Sequence, residues 1–342
     1  MRTVVGVLRG GPSSEYEVSL KSGANMLAAL DKEKYEPRDL FIDRAGVWHS
    51  FGAPVTPERA LKGVDVALNV IHGEYGEDGR LHDILDALSV PYTGSDKNTS
   101  ILAFNKARTK QAVKKIGIKT PRAILVESED VRGNMEEFAY NLFRTFPHPA
   151  IVKPVIGGSS VGVTMVNNYH SLEWALEQAF KISPQVLIEE YIKGREATVG
   201  VIDDFRGEKQ YALMPIEIIP PKERPFFDYE AKYGGDTLER VPGNFTAEQK
   251  EELMDIARRA HETLGVSHYS RSDFIVARRG IFFLEINNPQ AVGMSDQSLF
   301  PKALHAVGAK MSDFIDHIVE LALGHRPTGE TRSERKVKIR TS

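Results

Sequence analysis

Apolar and polar positions change rhythm along the chain, and the changes mark its elements. Residues 3–8, Thr-Val-Val-Gly-Val-Leu, form an apolar, β-branched run that ends at the Gly10-Gly11 turn. From residue 17 to residue 30 apolar side chains recur at helical spacing. A second apolar run, residues 64–71, leads into the polar loop His72-Gly-Glu-Tyr-Gly-Glu-Asp-Gly79, and helical spacing resumes at Leu81, Ile84, Leu85 and Leu88. Strands alternating with helices predict a parallel α/β layer whose functional loops lie at the carboxyl ends of the strands. Val90-Pro-Tyr-Thr-Gly-Ser95 reads as a short strand and exit. Residues 1–95 are therefore expected to form an N-terminal α/β domain.

The pattern then becomes mixed. Residues 98–117 are helical and lysine-rich, followed by a strand (123–126), a helix (135–146) and a strand (150–154). Gly157-Gly-Ser-Ser-Val-Gly162 is a glycine/serine hairpin that leads into a strand over 163–166, and residues 96–186 are expected to form a central lobe. β-patterned runs dominate afterwards, over 186–188, 197–202, 211–216, 274–276 and 281–286. They belong to an expected C-terminal lobe, residues 187–342, in which the polar, proline-rich stretch 220–243 reads as a long functional loop. The last helix covers 312–323, and the charged tail beyond it reads as a solvated end. There is no internal repeat.

Composition narrows the class. The 342 residues are enough for two or three domains and a sizeable core. With 44 Lys and Arg against 47 Asp and Glu, the formal charge of −3 argues against a chain built to coat nucleic acid or an anionic membrane. The chain has no cysteine, which excludes disulfides, thiolate catalysis and cysteine-ligated zinc. No apolar run approaches the length of a membrane span, and the N-terminus does not resemble a signal peptide. A cytoplasmic soluble enzyme is expected.

Candidate chemistry concentrates at the ends of the apolar runs. Glu285 and Asn287 flank Ile286, so period-two alternation puts both on one face of a strand. With Asp273 on a neighbouring strand, three hard oxygen ligands would converge, a set suited to Mg²⁺ carried on nucleotide phosphates. Lys153 ends an apolar strand, where a lysine meets an anion or snorkels to water. Backbone N–H groups and hydroxyls of the Gly157–Gly162 loop would serve the same anion. The loop is neither a P-loop nor a dinucleotide fingerprint.

Eight segments in order resemble the D-alanine–D-alanine ligase family of the ATP-grasp fold. They are Gly10-Gly-Pro-Ser-Ser-Glu-Tyr-Glu-Val-Ser-Leu20, His72-Gly-Glu-Tyr-Gly-Glu-Asp-Gly79, Pro91-Tyr-Thr-Gly94, Ile151-Val-Lys-Pro154, Gly158-Ser-Ser-Val-Gly162, Asp228-Tyr-Glu-Ala-Lys-Tyr233, Tyr269-Ser-Arg-Ser-Asp-Phe274 and Leu284-Glu-Ile-Asn287. The resemblance implies an ATP-grasp fold of α+β lobes behind an N-terminal parallel α/β domain. It also implies ATP-dependent joining of two D-alanines through an acyl phosphate, for peptidoglycan precursor synthesis. By the same resemblance ATP lies between two lobes, with Lys153 on its phosphates, Lys106 (the family's first-lobe lysine), Ser159 and Ser160 among the residues that bind it, and Lys232 reaching the γ-phosphate. Glu189, Glu190, Tyr191 and Ile192 match adenine-side positions, Glu196 the ribose, and Leu284 a further ATP-binding position. Two ions, Mg²⁺ or Mn²⁺, would sit on Asp273, Glu285 and Asn287. Arg271 and a backbone N–H near Gly293 would stabilise the oxyanion. Glu15 and His72 match the first amino acid's site and Ser298 the second's carboxylate. Glu15, Ser159 and Tyr233 match a latch that closes the long loop, and Tyr233 marks an amide rather than an ester product. A homodimer is implied as well.

Two positions depart from the family. Asn105 stands where an aspartate is usual. Relatives read Glu-Val-Asn-Thr-x-Pro-Gly-Met-Thr, whereas this chain has five residues between Asn287 and Gly293, two more than that pattern. The added length is expected either to bulge outward harmlessly or to reshape the acceptor pocket. Alternatives are an ATP-grasp ligase with a different acceptor and a nucleotide-binding protein without turnover. A dehydrogenase is disfavoured because no Gly-x-Gly-x-x-Gly follows the first strand.

Overall fold

The computed structural model describes residues 2–131, 133–221 and 237–324. Its first sheet has the order β4-β3-β2-β1-β5. β1 (Thr3–Gly10) lies parallel to β2 (Tyr35–Ile42) and β5 (Val66–Asn69). The hairpin β3 (Trp48–Ser50) and β4 (Ala53–Val55) adds an antiparallel edge. Helix α1 (Tyr16–Ala29) follows β1 directly, and α2 (Pro57–Ala60) and α3 (Arg80–Ala87) flank β5 in sequence. The parallel layer expected from the strand–helix rhythm is present.

A four-stranded antiparallel sheet follows, ordered β6-β9-β7-β8. Its strands are β6 (Ala123–Glu127), β7 (Ala150–Pro154), β8 (Thr164–Val166) and β9 (Gln185–Glu190), with α6 (Met135–Thr145) and α7 (Tyr169–Phe180) packed together on it. β9 thus pairs with β6 and β7, so the division expected at 186/187 falls inside a strand of this sheet. The expected single helical stretch 98–117 is two helices, α4 (Lys97–Phe104) and α5 (Lys106–Lys115). The break is at Asn105, whose side chain accepts from Arg108 N at 3.0 Å and caps α5. The asparagine that replaces the family's aspartate keeps the capping oxygen.

The third sheet runs β13-β12-β10-β14-β15, with β11 also on β10. β10 (Arg195–Phe205), β14 (Tyr269–Ala277) and β15 (Gly280–Asn287) form its centre. The apolar run expected over 211–216 is divided between β11 (Glu208–Ala212) and β12 (Ile216–Ile219), because the chain leaves the ladder over 213–215 and rejoins the same edge of β10, the edge opposite β14. β13 (Leu238–Arg240) is a strand inside the stretch read as a loop. Helix α8 (Ala247–Leu264) begins in a Thr246/Gln249 capping box and ends at Gly265, where φ of +68° suits glycine. Two further helices, α9 (Leu299–Ala306) and α10 (Met311–Gly324), complete the lobe.

Cores cross the domain lines. Val5, Val7 and Met26 of the first domain share one apolar cluster with Tyr269, Phe300 and Phe314 of the third sheet and its helices. The three rings pack with centroids 5.1 to 5.4 Å apart. Each such fully buried ring contributes roughly 2–3 kcal/mol of transfer free energy. The first domain and the C-terminal lobe are therefore held as one body. No helix among the described residues is long and apolar enough to cross a membrane.

Candidate active site

A cleft of about 1120 Å³ lies where the three sheets converge. Its base is the β14–β15 hairpin. Register places Asp273 opposite Glu285 and Arg271 opposite Asn287, so one face of two adjacent strands carries all four side chains. The expected convergence of Asp273, Glu285 and Asn287 is what the strands build. Asp273 is heavily partnered: Thr198 Oγ1 donates to Oδ1 at 2.6 Å and Asn287 Nδ2 to Oδ2 at 2.9 Å. Arg271 adds Nε to Oδ1 at 3.2 Å and Nη2 to Oδ2 at 3.1 Å. Glu285 Oε2 lies 3.6 Å from Lys106 Nζ, which also donates to the Gly157 carbonyl at 2.6 Å. Two carboxylates and an amide on one face form a hard oxygen set that fits Mg²⁺.

Basic groups line the opposite wall. Lys153 ends β7, and its ammonium pairs with Glu189 Oε2 at 3.0 Å. Lys110 pairs with the other oxygen, Oε1, at 2.9 Å. All three are buried. Burial pushes the Lys110 ammonium down to about 8, against the pull of Glu189. Burial alone would raise the Glu189 carboxyl, but the two lysines outweigh it and hold it below the usual range. Glu189, expected on the adenine side, thus directs its carboxylate toward Lys153. Glu190 turns outward to Arg122 N and Arg279. Tyr191, Ile192, Glu196 and Leu284 line the cleft, and Ile192, Ile275, Phe282 and Leu284 form a small apolar cluster suited to one face of a base.

The glycine/serine loop closes the cleft toward the first domain. Ser159 and Ser160 both have left-handed backbone, φ 50° and 58°, and both line the cleft, where the loop's amides and hydroxyls are candidates to meet an anion. Ser159 Oγ donates to Glu15 Oε1 in a very short hydrogen bond. Glu15 is the N-cap residue of α1 and makes no side-chain cap, leaving its carboxylate for the cleft. A Cβ on Gly158 would lie 2.3 Å from Glu15 Oε2 and would push that carboxylate aside. His72 is buried beside Ser22, Nε2 to Oγ 3.2 Å, and desolvation lowers its pKa. Glu77, also buried, is pushed well above the usual carboxyl range by burial and then by Glu15, although Gly73 N donates to it at 2.6 Å.

On the acceptor side Gly293 packs against Ser298, whose Oγ would be 2.8 Å from a Cβ there. Ser298 Oγ also meets Ser295 Oγ at 2.8 Å. The added residues before Gly293 do not bulge outward. They form a 3-10 turn, Pro289–Ala291, whose Pro289 and Gln290 are buried against the first domain. Lys232 and Tyr233 lie outside the described residues. Sequence reasoning missed Lys110, Thr198 and the clamp on Met294 described below. Only Lys110 carried a signal, one helical turn beyond Lys106.

Family models for the D-ala D-ala ligase N-terminus match residues 4–60 and 52–95, and that for the D-ala D-ala ligase C-terminus matches residues 112–320. The D-alanine–D-alanine ligase B of Clostridium perfringens is 34% identical over 323 residues, covering 94% of this chain and 99% of that protein. The D-alanine–D-alanine ligase of Flavobacterium psychrophilum is 36% identical over 335 residues, 94% of this chain and 98% of that one. Among solved structures, the VanG D-Ala:D-Ser ligase of Enterococcus faecalis superposes with a TM-score of 0.81 at 27% identity, over 94% of this chain and 100% of that chain. The ATP complex of the Bacillus anthracis D-alanine–D-alanine ligase gives 0.74 at 32% identity, over 94% and 97% of the two chains. With both of its halves matched in sequence and its fold matched in structure, this chain belongs to the D-alanine–D-alanine ligase family.

Proposed function

We propose that the protein joins two D-alanines to D-alanyl-D-alanine at the expense of ATP, for peptidoglycan precursor synthesis. The observation that carries this reading is the cleft's arrangement: acids and Arg271 on the β14–β15 face, Lys106 and Lys153 across from them, and Glu15 at the far end. In the first step the donor carboxylate oxygen bonds to the γ-phosphorus and the bond to ADP breaks. Two anions must meet, so the lysines and the polar groups of the Ser159–Ser160 loop offset their repulsion. Mg²⁺ on Asp273, Glu285 and Asn287 would neutralise phosphate charge. With Asp273 engaged on such a cation, the Arg271 guanidinium that now shares its oxygens would be left for the developing oxyanion. In the second step the acceptor amine attacks the acyl carbon, loses a proton, and inorganic phosphate leaves. Glu15 holds the donor ammonium, His72 lies beside it, and Arg271 with the Gly293 backbone stabilises the tetrahedral oxygen. Lys232 and Tyr233 complete the phosphate contact and the latch in this reading, which also carries a cytoplasmic homodimer, checked by light scattering.

A second reading keeps the donor and changes the acceptor. It is favoured by the two added residues before Gly293 and by the likeness to a D-Ala:D-Ser ligase. ADP release with ATP, Mg²⁺ and a panel of D- and L-amino acids separates the readings. D-alanine alone should support turnover under the first. D-alanine that works only together with D-serine would establish the second, and nucleotide binding without ADP release would refute both.

A further inference from the structure

Asn288, Pro289 and Gln290 of the lengthened loop before Gly293 are buried, and polar groups of the first domain and of α4 meet theirs. Asn288 is 1% and Gln290 0% exposed. Asn288 Oδ1 accepts from Ser95 Oγ at 2.6 Å, and its Nδ2 donates to Ser100 Oγ at 2.8 Å and to Gln290 Oε1 at 2.5 Å. Gln290 Nε2 lies 3.3 Å from His82 Nε2 on α3, and Ser100 Oγ is 3.0 Å from the same nitrogen. Gly94 gives this amide its room, since a Cβ there would sit 2.6 Å from Gln290 Nε2. The loop is tied again three residues on. Met294 N donates to Ser22 Oγ at 3.1 Å, and Asn25 Nδ2 donates to the Met294 carbonyl at 2.6 Å.

Between these two ties lies Gly293, with Ser295 and Ser298 just beyond. Nothing in the cleft requires an amide at residue 290, and an unpartnered buried amide is costly. Its placement therefore fixes the loop rather than touching a ligand. We propose that Gln290, acting through His82, is a positioning residue that sets where Gly293 and Ser298 stand and so tunes the acceptor site more than the donor site. This rests on the ligase reading above. The donor acid Glu15 is held apart from this loop, by Ser159, whereas His72 shares Ser22 with Met294 and bonds the Ala291 backbone.

The test is steady-state kinetics of the full chain in D-alanine, which resolves a Michaelis constant for each D-alanine site. Gln290→Ala should raise the acceptor KM about tenfold with a clearly smaller rise in the donor KM, since a small displacement at a reacting centre is enough. His82→Ala should do the same, the double variant should be no worse than either single one, and His82→Gln should restore the acceptor KM. Equal rises in both constants, an unchanged acceptor KM in soluble His82→Ala, or additive effects in the double variant would overturn the proposal. Should Gln290→Ala not fold, His82→Ala and His82→Gln decide it. Run alongside, the unsubstituted protein reports on the ligase reading by itself. If it releases no ADP, the positioning role is read from amide hydrogen exchange over residues 288–298, which must still quicken in His82→Ala and return to normal in His82→Gln.

Discussion

Arg271 and Asp273 stand two residues apart on one face of β14 and share both carboxylate oxygens, at 3.2 and 3.1 Å. The arginine assigned to the oxyanion and the acid assigned to the cation neutralise each other before any ligand arrives. Cation and substrate binding should consequently be coupled. Glu285→Gln removes one charge from this set without touching packed core. It should lower turnover at least about 100-fold and shift half-activation to higher Mg²⁺, with the melting temperature nearly unchanged. A Mg²⁺ titration of ADP release checks it, and normal turnover at limiting Mg²⁺ would contradict the assignment.

The Ser159–Glu15 bond links the glycine loop of the central sheet to the first turn of α1. Hydrogen bonds to a charged group contribute about 1.5–3 kcal/mol, so Ser159→Ala should cost about tenfold or more in kcat/KM for the donor. Gly158→Ala should be worse, because its Cβ meets the Glu15 carboxylate. An ATP KM that moved as much as the donor KM would place the damage on the nucleotide instead.

Charge burial at the back of the cleft predicts a stability effect. Lys110→Met leaves Glu189 with Lys153 alone, and losing one partner of a buried ionic set costs about 3 kcal/mol. Chemical denaturation should show that loss, and a variant as stable as the parent would mean the two lysines are redundant.

Buried histidines set an acid limit. Burial lowers His82 from 6.5 to about 4, and the unfolded chain takes up its proton near 6.5. The unfolded state binds more protons in that window, so stability is full above pH 6.5 and falls by up to about 3 kcal/mol as pH drops toward 4. His72 shifts in the same direction. Urea midpoints measured from pH 7 to pH 4.5 should decline, and His82→Gln should flatten the decline. Parallel curves for the two proteins would remove His82 as a cause.

Much of the site was legible because strands repeat every two residues. Glu285 and Asn287 follow from alternation, and Asp273 needed only a neighbouring strand, which β14 supplies. What local pattern could not reach is pairing across the chain. Thr198 holds Asp273 from 75 residues away, and Gln290 meets His82 from 208 away. The same limit explains β9, whose apolar run reads alike in either sheet until its partners β6 and β7 are known. Helix α8, absent from the expected elements, was legible locally in its capping box at Thr246 and Gln249.

The central claim is that the donor's carboxylate, not water, takes the γ-phosphoryl group. D-alanine labelled with oxygen-18 in its carboxyl group tests this directly during turnover with ATP. The account predicts that each inorganic phosphate released carries an oxygen from the donor carboxylate and is matched by D-alanyl-D-alanine and ADP in equal amounts. Unlabelled phosphate, or ADP formed without dipeptide, would contradict it.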